Sequence, residues 1–342
     1  SNKYGWYKTD ALCIYTNHIY STSYRGFGHD TSTFCVERMM DKMAKALNMD
    51  GVELRKLNLA HPGAASPPGV KLNLSNLGNP TACLSQAAEM IKWNEGAVKK
   101  IGENKIRAKG LSMLCKTSSS PTDASSGAII TFNGDGSINL NCGAIECGQG
   151  FFTAMRQIAA GKFQMNPDRV FIADELATRT SPHHWKTVAS MSTFLAGNAV
   201  IQAAEDAIRQ LKDIGAVVLR CRETDLEVGE ERVYLRSDPS IFVAVKHLAG
   251  GIKYENGNAY GHQVIGRGSY VMEHLSLLDK ETGQGHPGPF FTVGAQAVEI
   301  EYDTRECSLR LIRAITAIDA GKVINTNLAR GQIMGAMNMG LS

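Results

Sequence analysis

No Cys-x-x-Cys pair occurs in the sequence, although it contains eight cysteines. A zinc knuckle and an iron–sulfur ligand run are therefore both absent from it. The thiols stand at 13, 35, 83, 115, 142, 147, 221 and 307, scattered through apolar segments of a 342-residue chain. A chain of this length does not need disulfide staples, so free thiols point to a reducing compartment and an expected cytoplasmic location. There is no P-loop, no His-Glu-x-x-His and no Gly-x-Ser-x-Gly, which removes the commonest phosphate, zinc-protease and serine-hydrolase signatures. No apolar run is long enough to span a bilayer. A formal charge of +3 gives no global field for nucleic acid or an anionic membrane, so neither is expected as a partner. The one basic cluster (Lys99, Lys100, Lys105, Arg107, Lys109) reads as a solvated linker face.

Apolar residues make up 43% and charged residues 20%, the balance of an ordinary globular chain with room for two domains or subdomains. Residues 11–25 read as extended. After Asp30-Thr31-Ser32 the spacing of Val36, Met40, Met43 and Leu47 predicts one buried helical face. Asp50 caps a short helix through Leu54 and Leu57, and another helix follows Pro80 with Leu84, Ala88 and Ile91 inward. Strands are expected at 106–116 and 127–132, and Asn133-Gly134-Asp135-Gly136 is a hairpin turn into Ser137–Asn141. A helix from Phe151, a strand at Arg169–Ala173 and a helix from Thr193 to Lys212 follow. The last of these buries alanines, so it packs closely. Strands at 291–302 and 308–318 precede a final helix. Hairpins dominate and no βαβ rhythm repeats, so the class is α+β: two subdomains of mixed, largely antiparallel sheets with packed helices, divided near residue 104 into 1–104 and 105–342.

Three glycine- or serine-rich elements lie between regular segments: SYRGFG (23–28), ECGQGFFT (146–153) and TVASMSTFLAGNA (187–199). Gly148 and Gly150 stand directly before a helix. They are explained either by a plain turn or by an anion held at the unpaired N–H groups of the first helical turn. Ser190, Ser192 and Thr193 open another helix with the same two readings. Gly283-Gln284-Gly285-His286-Pro287-Gly288 fits G-x-G-x-x-G, yet it follows no clear strand and opens no helix, so it is not a dinucleotide site. His183 and His184 are adjacent and point apart on either a helix or a strand, which favours loop histidines over a ligand pair.

The order of these elements resembles the molybdopterin-binding catalytic subunit of the xanthine dehydrogenase/aldehyde oxidase family of molybdenum hydroxylases. The resemblance runs through YRGFG, ERMMDKMA, LRKLN, ECGQGFFTAMRQIAA, the TVASMST helix start, FFTVGAQAVEIEYD and AIDAGKVINTNLARGQIMGAM. It implies that Arg25 and Gly26 lie beside the metal, with the backbone at Arg25 touching its ligands. It implies that Gly148, Gln149, Gly150, Ala189, Ser190 and Ser192 hold the pterin and its phosphate, as the molybdenum–molybdopterin cofactor or its cytosine dinucleotide form, with no direct side-chain ligand to the metal. Phe27 would pack on a flat substrate, and a hydroxyl contact falls near Ser118 and Ser119. No aromatic stands there to form a second wall, which argues against assuming a purine. The catalytic glutamate of the family, in a Gly-Glu-x-Pro setting, lies outside this chain, and Glu146 and Glu301 do not match it. The expected whole is an oligomeric hydroxylase that oxidises an aldehyde or N-heterocycle with water-derived oxygen. Its iron–sulfur clusters and FAD would sit on partner chains or domains. This chain would be an internal piece, inactive alone and truncated at its C-terminal end. The rivals are one half of a split subunit and a noncatalytic relative that keeps the fold for assembly.

Overall fold

A computed structural model of the chain describes residues 10, 12–19, 24–117, 123–173 and 176–341. Regular structure begins with α1 (His29–Ala46), α2 (Gly51–Asn58), α3 (Leu74–Leu77) and α4 (Pro80–Met90), then β1 (Val98–Lys100) and β2 (Lys105–Thr117). The middle holds β3 (Ser125–Phe132), β4 (Ile138–Cys142), α5 (Phe151–Phe163), β5 (Val170–Ile172) and α6 (Met191–Leu219). It continues with β6 (Leu226–Gly229), β7 (Arg232–Leu235), β8 (Asp238–Ala244), α7 (Val245–Leu248), β9 (Ile252–Lys253), β10 (Ala259–Tyr260) and β11 (Ile265–Val271). The end is β12 (Phe291–Asp303), β13 (Ser308–Asp319) and α8 (Thr326–Leu341). Segregated helices and mostly antiparallel sheets make this an α+β fold. Among the described residues, no helix is long and apolar enough to cross a membrane.

The chain folds as two compact units. The first comprises residues 1–120, 275–323 and 329–342, and the second 121–274 and 324–328. This differs from a division near 104. Strand β2 pairs along its whole length with β12, Lys105 opposite Asp303 through Thr117 opposite Phe291, so it belongs with the N-terminal helices. The basic cluster is not a linker either. Lys99 and Lys100 lie on β1, and Lys105, Arg107 and Lys109 on β2. Arg107 pairs with Glu301 across the sheet, and the Lys109 ammonium donates to the Lys92 carbonyl.

In the first unit the antiparallel sheet runs β1-β2-β12-β13. Helix α4 starts at an Asn79 cap with Pro80 in the first turn. It buries Leu84, Ala87 and Ile91 against Val293, Ala295, Ala297 and Ala317. Each large side chain removed from water in this way contributes about 1.5–3 kcal/mol. Asp50 caps α2 by accepting from Val52 and Glu53 N–H. Arg55, only 2% exposed, ties α2 to α1 by donating to Glu37 and Asp41 at 2.7 and 2.8 Å. Glu37 also accepts from Met113 N–H on β2. The inward face of α1 is consequently built on Glu37, Met40 and Ala44, with the half-exposed Asp41 at its edge. Val36, Met43 and Leu47, expected inside with Met40, are exposed with Met39. Leu57 of α2 is exposed too. The buried ion cluster, which hydropathy spacing does not register, fixed the rotation of α1.

The second unit is built on the sheet β11-β3-β4-β5, in which only the β4–β5 pair is parallel. The β3–β4 hairpin turns at 133–136 as its sequence predicts, with Asp135 accepting from Ser137. Helix α6 lays Ala199, Ala203 and Ala207 directly on β11. A Cβ added to Gly268 would lie 2.0 Å from the Ala199 carbonyl oxygen, and one on Gly266 2.2 Å from that of Ala203. The all-small helix face therefore meets a side-chain-free strand. This helix also runs to Leu219, past the expected end at Lys212, because Ile214 and Gly215 continue into a contact with Leu226 and Val233 of the β6-β7-β8 sheet.

Candidate functional site

At the head of α5, Gly148 and Gly150 both have left-handed backbones (φ +96° and +84°). The N–H groups they free are not open. The Glu146 carboxylate curls over them, Oε1 accepting from Gly148 and Gly150 N–H at 2.8 and 2.9 Å, and Oε2 from Phe152 N–H at 3.0 Å. Burial opposes ionisation of this carboxyl, but the backbone donors outweigh it and hold it below its ordinary range. An expected anion position is thus filled by a side chain two residues upstream. Gln149 closes the same loop, its amide oxygen accepting from Cys147 N–H and its nitrogen donating to the Ile145 carbonyl. A Cβ at Gly150 would also meet the Leu328 methyl groups at 2.5 Å, so that side chain would have to shift.

The second element is tied to the first by one bond, Ile145 N–H donating to Thr187 Oγ1 at 2.9 Å. Ala189 then takes a left-handed backbone (φ +48°), disfavoured for a residue with a Cβ. Ser190 takes the cap position of α6 without a side-chain capping bond. Met191 N–H reaches back to Val188 and Phe194 N–H to Ser190, while the N–H groups of Ser192 and Thr193 find no acceptor among the described residues. Ser192 is 5% exposed and its hydroxyl has no partner among the described residues. Helices α5 and α6 pack side by side, with Ile158 and Met155 against Gly197. Asn325 and Leu328, at the head of α8, close on α5 through Gln157 and Gly150. One end of the second unit thus gathers Gly148, Gln149, Gly150, Ala189, Ser190 and Ser192.

Arg25, Gly26 and Phe27 belong to the first unit. They form a tight turn, Phe27 N–H donating to the Tyr24 carbonyl and His29 N–H to that of Gly26, with positive φ at Gly26, Phe27 and Gly28. The Arg25 guanidinium is turned onto α8, donating to the carbonyl and side-chain oxygens of Gln332, both at 3.1 Å. The Phe27 ring is 70% exposed. Ser23, Ser118 and Ser119 lie outside the described residues.

Sequence reasoning missed the cap formed by Glu146; a carboxylate two residues before a glycine turn was the available signal. It also missed the contacts of Arg25 and Gly150 with α8, for which no local signal exists. The histidine pair divides as its spacing suggests. His184 is half-buried with Nδ1 3.0 Å from Ser126 Oγ, and His183 is exposed. Gly285 N–H donates to the Pro68 carbonyl within a loop and heads no helix. Glu301 is held between Arg107 and Arg310, whose hydrogen bonds keep its carboxyl below the usual range.

Comparison with known proteins bears on the whole chain. The profile of the molybdopterin cofactor-binding domain matches residues 86–342, and a second profile of that description matches residues 3–59. The xanthine dehydrogenase molybdenum-binding subunit of Escherichia coli O157:H7 is 27% identical over 340 residues, which is 98% of this chain and 43% of the subunit. Xanthine dehydrogenase of Dictyostelium discoideum is 28% identical over 337 residues, 95% of this chain and 22% of that one. The fold is shared with CO dehydrogenase from Oligotropha carboxidovorans (TM-score 0.74, 23% identity, 92% of this chain and 40% of that one). It is shared likewise with aldehyde oxidoreductase from Desulfovibrio gigas (TM-score 0.70, 20% identity, 93% and 32%). The chain spans less than half the length of these relatives. With three quarters of its residues inside one profile, the chain belongs to the molybdopterin cofactor-binding domain family.

Proposed function

We propose that the chain is the central part of a longer molybdenum hydroxylase subunit and that the heads of α5 and α6 hold its pterin cofactor. The observation that carries this reading is the Ser192 hydroxyl, out of water and unpartnered beside two free N–H groups at the start of a long helix. A buried hydroxyl without a bond costs about 1–3 kcal/mol. An anionic phosphate oxygen would satisfy it together with the helix N–H groups. Ser190 and the left-handed Ala189 leave the approach to that position open. The Gly148–Gly150 turn fits a flat ring at its surface rather than a phosphate, because Glu146 already occupies its donors. Arg25 and Gly26 of the first unit are proposed as further cofactor contacts through their main chain, the Arg25 side chain being engaged by Gln332. The exposed Phe27 ring would form a wall for a flat aldehyde or N-heterocycle. When bound, the group supplies a redox metal that takes two electrons from the substrate as water-derived oxygen enters a C–H bond. Iron–sulfur and flavin centres on partner chains or domains would then carry the electrons away. The phosphate-only and cytosine dinucleotide forms both suit the α6 position.

Two observations support a longer subunit. Relatives are more than twice as long, and the outer face of α1 exposes Val36, Met39, Met43 and Leu47 in one stripe. The acid–base residue would lie outside this chain, since Glu146 and Glu301 are held ionised by their donors. The test is Ser192→Ala. In the 342-residue chain it should leave the thermal midpoint unchanged or raise it, because the deleted hydroxyl has no bond. In the subunit purified from its native host it should lower molybdenum and pterin content about tenfold, as should Ser190→Ala. Full occupancy in both variants would remove the assignment.

A further inference from the structure

The cofactor reading leaves Glu146 without a role, yet this side chain makes three charge-assisted bonds to one turn. We infer that Glu146 is a positioning residue: its carboxylate fills the anion position at the head of α5, so the Gly148–Gly150 turn is built before the cofactor arrives and other anions are kept from that position. This rests on the cofactor-binding reading above. The geometry separates the two oxygens. Oε1 holds both glycine N–H groups and so fixes the two left-handed residues, whereas Oε2 accepts from Phe152, the second residue of the helix. Three further bonds brace the strip: Gln149 reaches Cys147 and Ile145 inside the loop, and Ile145 reaches Thr187 on the segment leading to α6. A shift of the Glu146 carboxylate would therefore be passed to the Ser190–Ser192 segment. Among the described residues, no carboxylate caps the neighbouring head of α6 in this way. The Ser192 hydroxyl and the N–H groups of Ser192 and Thr193 stay unpaired among the described residues, so the fold supplies its own anion at one helix and leaves the other to a ligand.

Hydrogen exchange of the full 342-residue chain reads the first half of this directly. In Glu146→Ala the amides of Gly148, Gly150 and Phe152 should exchange about tenfold faster or more, the change expected of losing one charge-assisted bond. Added acetate should restore protection by replacing the carboxylate, and inorganic phosphate should do the same. Neither anion should alter these amides in the wild-type chain. Glu146→Gln keeps one oxygen and should retain protection at the two glycines while losing it at Phe152. Unchanged exchange in Glu146→Ala, or phosphate slowing exchange at this turn in the wild type, would overturn the proposal. The second half is read by molybdenum and pterin content of the subunit from its native host, which should fall several-fold in Glu146→Ala and less in Glu146→Gln. Full content despite a loosened turn would overturn the positioning role while leaving the cofactor site at α6 intact. A wild-type subunit without pterin would remove the cofactor reading, and the positioning role with it.

Discussion

His184 shows how one half-buried ring makes a fold sensitive to pH. Its Nδ1 meets the hydroxyl of Ser126, itself 1% exposed, while Nε2 is buried without a partner among the described residues. Burial lowers its pKa below the ordinary 6.5 and the nearby His183 lowers it further, against a backbone bond at Lys186 that raises it. The unfolded chain then binds a proton at a higher pH than the folded one does. The ring's contribution to stability is complete above 6.5 and is lost as pH falls through the lower folded value. Urea unfolding from about pH 7.5 down to about pH 5 should show this decline. His184→Asn, which can keep the bond to Ser126 but cannot titrate, should flatten the profile in that window. A profile as steep as that of the wild type would assign the dependence to another group. Glu146 acts in a separate window, below the ordinary carboxyl value of 4.5.

At the scale of elements, α6 lies on β11 with main chain against main chain. Gly268→Ala would place a Cβ against the Ala199 carbonyl, with backbone on both sides and nothing flexible to yield. Overpacking of this kind typically costs about 1–3 kcal/mol, and here, against main chain, the expected loss is at or above the upper end. Gly161 on α5 is the control. It is helical and exposed, with nothing within 4 Å of an added Cβ, so Gly161→Ala should stabilise by about 0.5–1 kcal/mol. Denaturant midpoints of the two variants should move in opposite directions; a shared direction would show the packing argument to be wrong. The sequence made half of this contact legible. The run of alanines from Ala196 to Ala207 announced close packing, but its partner strand, with Gly266 and Gly268, stood in the stretch 213–290, where hydropathy alternates weakly. The elements at Phe151–Phe163, Val170–Ile172, Phe291–Asp303 and Ser308–Asp319 were readable from periodicity and turn residues. The rotation of α1 was not, because Glu37 and Asp41 turn toward the buried Arg55 where spacing assigns the interior to Val36 and Leu47. The site was legible as three local elements. The contacts each makes inside its own unit, Ile145 with Thr187, Gly150 with Leu328 and Arg25 with Gln332, depend on residues far away in sequence.

For the whole molecule, the fixed carboxylates lead to a functional expectation. A positioned base contributes about 10²–10⁴-fold to proton transfer. Glu146 and Glu301, the two glutamates nearest in kind to such a role, are committed to backbone N–H groups and arginines. The 342 residues alone, supplied with cofactor, should therefore show no oxidation of aldehydes or N-heterocycles in a dye-coupled assay. Turnover should return only when the remaining segments of the longer subunit are supplied. Clear activity of the chain alone would place a base within it and contradict the reading of both glutamates. The path of the chain has a separate consequence, for synthesis. Strand β2 leaves the ribosome long before β12, its partner along every residue from 105 to 117. At about 5–20 residues per second it waits roughly ten to thirty seconds with β1 as its sole neighbour in that sheet. An unpaired strand carrying Leu111, Met113 and Leu114 is open to association with other nascent chains. Lys105, Arg107, Lys109 and Lys116, spaced along the same strand, oppose such association by charge repulsion during that interval.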